Sequence, residues 1–171
     1  MTDFQDAFNS VVRRIEERYG VDVTISDVLD PNTGDFDGER IKVDYDQDLE
    51  LALFVLVHLF GHTVQWNLSE EFRAIGMKTT PGATEAELAL IYVYEQDATR
   101  YSLALLHEAG VTDLDAWASD WWRADWLFLS HFYRTGERLD PRTLLERGGA
   151  PLTPLPIPEF TPQRWVSRFS F

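Results

Sequence analysis

The chain has 171 residues, 44% of them hydrophobic and 13% aromatic, which fits one globular domain with a core of its own rather than a disordered segment. It contains no cysteine, so disulfides and thiolate metal sites are excluded. A formal net charge of -14 repels phosphate backbones, which argues against nucleic acid as a partner and speaks first to solubility.

Residues 1–10 are acidic and polar and lack the basic and apolar regions of a secretory leader. No apolar run reaches the roughly 18 residues of a membrane span. The expectation is a cytoplasmic protein with no membrane partner. Phe4, Ala7, Phe8, Val11, Val12 and Ile15 recur at helical spacing and predict a helix over 4–19, with Gly20 placed to stop it. Residues 21–25 alternate and are rich in β-branched side chains, as in a strand. The run DPNTGDFDG over 30–38 is dense in turn formers and reads as a hairpin-like loop. Ile41, Val43 and Tyr45 then alternate with Arg40, Lys42 and Asp44, giving a second strand with one wet face.

Asp46 or Asp48 can cap the next helix, which runs to about residue 66. Its stretch 51–60 is apolar nearly all round, so it belongs in the interior. A connection with a short helical piece near 70–75 follows. Thr84 and Glu87 form a capping-box pattern that opens a long helix to about residue 109, with Gly110 as its stop. A further helix over 114–135, capped by Thr112 or Asp113, carries Trp117, Trp121, Trp122, Trp126, Phe128 and Phe132. It reads as core or interface, with a ligand-stacking surface as the other reading. A short helix fits 142–147. The proline-rich tail 151–162 is extended, and burial of Phe160, Trp165, Phe169 and Phe171 would lay it across the domain's own cleft. No repeat or linker divides the chain, so residues 1–171 form a single, mainly helical α+β domain.

His58 and His62 lie four residues apart, about 40° round a helix and one turn above each other, so both imidazoles can reach one ion. They share a line with Leu51, Val55 and Gln65 in the most apolar helix. Two buried imidazoles each need a partner, since an unsatisfied polar group costs on the order of 1–3 kcal/mol. Gly61 between them is unfavourable in a helix, and its expected use is the close approach of a strand or substrate. On the long helix Glu95 shares a face with Leu88, Ile91, Ala98, Ser102 and Leu105, which turns a carboxylate toward the core. Two neutral imidazoles and one carboxylate make a three-ligand site with an open position. A buried salt bridge from Glu95 to an arginine, and hydrogen-bonded core histidines, are the competing readings. Asp97 lies about 200° away beside Arg100 and is the poorer ligand. His107 and His131 read as packing residues, with His131 a spare ligand.

The runs VDYDQDLELALFVLVHLFGHTVQW and YEQDATRYSLALL resemble the zinc peptidase-like ImmA/IrrE family over about residues 39–110. His58, Gly61 and His62 match its HExxH-type motif. Glu95, Ala98, Tyr101, Leu105 and Leu106 match its second pattern, close to E-x-x-A-x-x-[FY]-A-x-x-L-L, with Ser102 where a small residue is usual. The resemblance implies a zincin-like fold with a small sheet beside the two motif helices. It also implies metal ligands His58, His62 and Glu95, and a role as endopeptidase or metal-dependent regulator acting on protein or peptide. Zinc is implied by the same likeness, while iron(II) or manganese also suits the donors. Leu59 stands where the family carries its catalytic glutamate, and a leucine cannot move a proton. Three functions are therefore expected in turn: a metal-binding, peptidase-like module that regulates or binds (a pseudoenzyme), a metallohydrolase with another base, and a metal-free interaction domain. The catalytic and substrate-binding residues, and the oligomeric state, stay open.

Overall fold

The structure is a computed structural model and describes residues 1–78 and 80–165. Asp3 accepts the amides of Gln5 and Asp6 and so starts α1 (Phe4–Arg14). The helix continues as a π-helical turn, Ile15–Tyr19, until Gly20 at φ 67° ends it. Ala7, Phe8, Val11 and Ile15 are the buried positions, as the helical spacing requires.

Three short strands follow: β1 (Asp22–Ser26), β2 (Gly34–Phe36) and β3 (Arg40–Asp44). Their order is β1-β3-β2, with β1 parallel and β2 antiparallel to β3. Ile41 and Val43 of β3 are fully buried while Arg40 and Lys42 stay half-wet. The turn-rich segment expected as a hairpin-like loop therefore contains an edge strand that pairs antiparallel with β3. Gly34 permits this, because a Cβ there would lie 2.7 Å from Leu59 Cδ1 and 2.8 Å from Val55 Cγ1 of the helix beneath.

That helix is α2 (Leu49–Leu68), whose first turn is capped by the Asp48 carboxylate accepting the Leu51 amide. It touches α1, β2, β3, α3 (Glu70–Gly76) and α4 (Glu85–Glu108), and so runs through the middle of the fold. By length and hydropathy, 1.3, it could cross a membrane, but 78% of that window is buried within the protein. Its apolar circumference is thus used as core. Leu53, Leu56, Val57, Phe60 and Val64 have no exposure, and each such side chain contributes about 1.5–3 kcal/mol by leaving water. The Thr84–Glu87 capping box is present at the start of α4, and Gly110 at φ 83° follows its end.

The fifth helix, α5 (Asp115–Thr135), begins at Leu114 without a side-chain cap. Asp113, expected as that cap, instead accepts the backbone amide and hydroxyl of Thr2, each at 2.6 Å. It stands one residue too early for the cap and fastens the N-terminal residues instead. The half-buried Glu50 ties α5 to α2, accepting from Trp117 Nε1 at 2.9 Å, Trp121 Nε1 at 3.0 Å and Arg147 at 2.8 Å. Beyond α5 a 3-10 turn, Pro141–Leu144, takes the place of the short helix expected at 142–147.

Segment 150–165 is extended. Ser119 Oγ accepts the Leu152 amide, and the Leu155 amide donates to Arg100 O. Leu152, Leu155, Ile157, Phe160 and Trp165 pack on the core. The Trp165 indole donates to Asn67 Oδ1 at 3.3 Å, and the Arg73 guanidinium lies 3.7 Å over its ring. Phe169 and Phe171, also expected to be buried, lie outside the described residues.

Candidate metal centre

Three small residues set the spacing of the two helices that carry the site. A Cβ on Gly61 of α2 would fall on the carbonyl oxygen of Ala98 and within 2.8 Å of its Cα. Ser102, one turn further along α4, donates to Val57 O across the crossing at 2.7 Å. The close neighbour of Gly61 is therefore the backbone of α4, not the strand or substrate expected from sequence. This approach delivers Glu95 to the two histidines.

His58, His62 and Glu95 are all buried and meet at one point. Glu95 Oε2 lies 2.9 Å from His58 Nε2 and 3.1 Å from His62 Nε2, and the two Nε2 atoms are 3.0 Å apart. Among the described residues this is the one group of three His, Asp or Glu side chains arranged to share an ion. The partner of the carboxylate is the histidine pair, not an arginine. Burial alone would push the Glu95 carboxyl up, but the facing His62 and His58 outweigh it and hold the group well below the usual carboxylate range.

The atoms behind the rings fix which nitrogens face inward. Gln65 Nε2 donates to Tyr94 O at 2.8 Å, so its Oε1, 2.9 Å from His62 Nδ1, accepts the proton that Nδ1 carries. Thr99 Oγ1 donates to Glu95 O at 3.2 Å and lies 3.4 Å from His58 Nδ1, where its lone pair can accept the Nδ1 proton. With both imidazoles neutral, as a metal requires, the Nε2 atoms present lone pairs toward the carboxylate oxygen; protonated, they donate to it, and that is the state that holds its carboxyl low. Three converging acceptors repel one another unless a proton or a cation lies between them. A tetrahedral ion with bonds of about 2.0–2.1 Å wants its ligand atoms about 3.3 Å apart, so the observed triangle needs a few tenths of an ångström of adjustment. The residues fit a divalent metal.

Aromatic neighbours hold the rings in place. His62 is stacked between Tyr94, centroids 4.4 Å apart, and Phe36 at 5.8 Å, and His58 stacks on Phe54 at 5.4 Å. Gln65→Leu removes the acceptor that fixes the His62 tautomer. Zinc affinity, measured by competition with a chromophoric chelator, is expected to fall about 10- to 100-fold with helix content unchanged.

The site opens into a cleft of about 460 Å³, within the range of small-ligand pockets. Residues 31–34 beside β2 form one side, with Phe54, Val55 and Leu59 of α2 beneath. The opposite wall is α5, through Trp121, Asp125, Phe128 and Leu129. Leu59, at the family's glutamate position, packs toward Gly34 and brings only methyl groups to the cleft. None of the described tail residues lines this cleft; the tail runs over α4 and the end of α2 instead of crossing it.

Sequence reasoning missed Asp125. Asp125 is half-buried, and loss of water around it pushes its carboxyl up to about 7, with His58 opposing and Glu95 reinforcing the shift. Its signal was available: Trp121, Asp125, Phe128 and Leu129 recur at helical spacing, so one acid interrupts an apolar stripe, as Glu95 does on α4. Asp97 is bound to Arg100 at 3.1 Å, as expected. His107 lies 2.7 Å from an Asp115 carboxylate oxygen and His131 2.7 Å from one of Glu137; both are half-exposed and neither lines the cleft. No family model, curated protein or solved structure matches the chain.

Proposed function

We propose that this chain is a zincin-like domain of the ImmA/IrrE kind that holds one zinc ion on His58, His62 and Glu95 and receives a peptide or protein segment in the adjoining cleft. The observation that carries the reading is the buried triangle of His58, His62 and Glu95 ligand atoms, with a polar side chain behind each imidazole, Gln65 at His62 and Thr99 at His58. Zinc suits three N and O donors with a fourth position open, and held there it would polarise a carbonyl and acidify water. Iron(II) and manganese fit the same donors, and the likeness of the two motifs favours zinc. A peptide-like ligand is supported by the cleft's apolar wall and by the position of β2 at the sheet edge, since edge strands accept extended chains. With Leu59 in place of the usual glutamate, hydrolysis by the usual route is absent, and binding or regulation is the primary role. The lack of cysteine and the acidic surface are compatible with work in the cytoplasm.

Protein purified without chelator is expected to carry about one zinc per chain by elemental analysis, and its melting temperature to fall on chelation, because an ion bound only by the native state stabilises it. Metal-free protein whose stability ignores both zinc and chelator would sink the proposal.

A further inference from the structure

A second carboxylate stands on the far wall of the cleft that holds the ion-binding group. Asp125 lines the same cleft as His58, His62 and Glu95. It is not one of the three clustered ligands, whose donor atoms lie within 4.8 Å of one another. It is near enough to His58 and Glu95 for their charges to act on it. Among the described residues no group donates a hydrogen bond to its carboxylate, whereas Asp140, the other cleft-lining aspartate, is exposed and caps the Pro141–Leu144 turn. The rest of that wall is Trp121, Phe128 and Leu129. Asp125 is half-buried on that wall, and a carboxylate with no protein donor beside apolar side chains is costly to keep, so such groups persist where a ligand or a reaction uses them.

We propose that Asp125 is the proton acceptor of this site, serving from α5 the role that Leu59 leaves vacant on α2. The inference rests on the metal reading above and extends it to slow hydrolysis of peptide bonds. In that reaction the oxygen of a water in the cleft bonds to the acyl carbon while Asp125 takes one of the water's protons. The carbon–nitrogen bond then breaks, the proton passes from Asp125 to the departing amine, and the water's second proton stays with the new carboxylic acid. The carboxylate is regenerated, and no other reactant is consumed.

The test compares wild type with Asp125→Asn, which keeps size and shape, and with Asp97→Asn as a control. Both variants are expected to retain about one zinc per chain, because neither residue is a ligand. Acetohydroxamate, whose N–O–H proton must be taken up when it chelates an ion, is expected to bind zinc-loaded Asp125→Asn at least about tenfold more weakly than wild type by calorimetry, and the control equally well. Turnover of an unstructured peptide library should fall about 10²- to 10⁴-fold in Asp125→Asn only. Loss of zinc from Asp125→Asn would make it a ligand and overturn the proposal. Unchanged hydroxamate affinity in that variant, or no hydroxamate binding by zinc-loaded wild type, overturns it as well. Wild type that holds no zinc overturns the metal reading itself, which the zinc analysis detects separately.

Discussion

His62→Ala is expected to purify with almost no metal where wild type carries about one zinc per chain, while Asp97→Ala keeps its full complement. His62 supplies one of three donors, and the two left behind cannot hold a divalent ion against chelators at ordinary concentrations. Asp97 lies on another face of α4 and is bound to Arg100. Stability should follow occupancy: with free zinc about a thousandfold above its dissociation constant, the ion contributes roughly 4 kcal/mol that His62→Ala forfeits. The substitution also empties the slot between Phe36 and Tyr94. His62→Phe keeps that stack filled and removes only the donor, so it separates the two causes. Elemental analysis and thermal melting with and without chelator read both effects. Equal metal loss in His62→Ala and Asp97→Ala would mean that the ligand set is wrong.

Gly61→Ala is expected to lower stability by about 3 kcal/mol or more in urea unfolding, a large effect for one methyl group. The added Cβ meets the backbone of Ala98, so no rotamer change can relieve the clash and the helices must separate. Alanine's better helix propensity returns roughly 1 kcal/mol and does not offset this. Separation of α2 from α4 also draws Glu95 away from His58 and His62, so zinc affinity should fall together with stability. Gly61→Ala protein with the unfolding midpoint and zinc affinity of wild type would show that the helix crossing is looser than described.

The parts of the fold that local chemistry determines were legible before any coordinates. The Thr84–Glu87 capping box, the glycine stops at Gly20 and Gly110, and the apolar circumference of α2 each follow from the residues that make them. Glu95 was legible because an acid on an apolar helical stripe needs a partner. Features that depend on a distant partner were not. β2 is three residues inside a turn-rich run, and it forms because β3 and α2 are beside it. Asp113 resembles a cap by position, yet its carboxylate is taken by Thr2, more than a hundred residues away in the chain. Gly61 announces that some backbone comes close, but not which one. The course of the tail depends on Ser119, Arg100 and Asn67, none of which is marked in sequence as its anchor. Asp125 is a different case: its stripe is readable, and the weight of tryptophan on that helix draws the reading toward core, interface or ring stacking and away from its one acid.

The stacking of both histidine rings against Phe36, Tyr94 and Phe54 has a thermodynamic consequence. Rotational freedom that a flexible chelator would surrender on capturing its ion is surrendered here during folding, before any ion arrives. Capture then carries little entropic penalty, and the strength of the ion's grip is governed partly by aromatic side chains that never touch it.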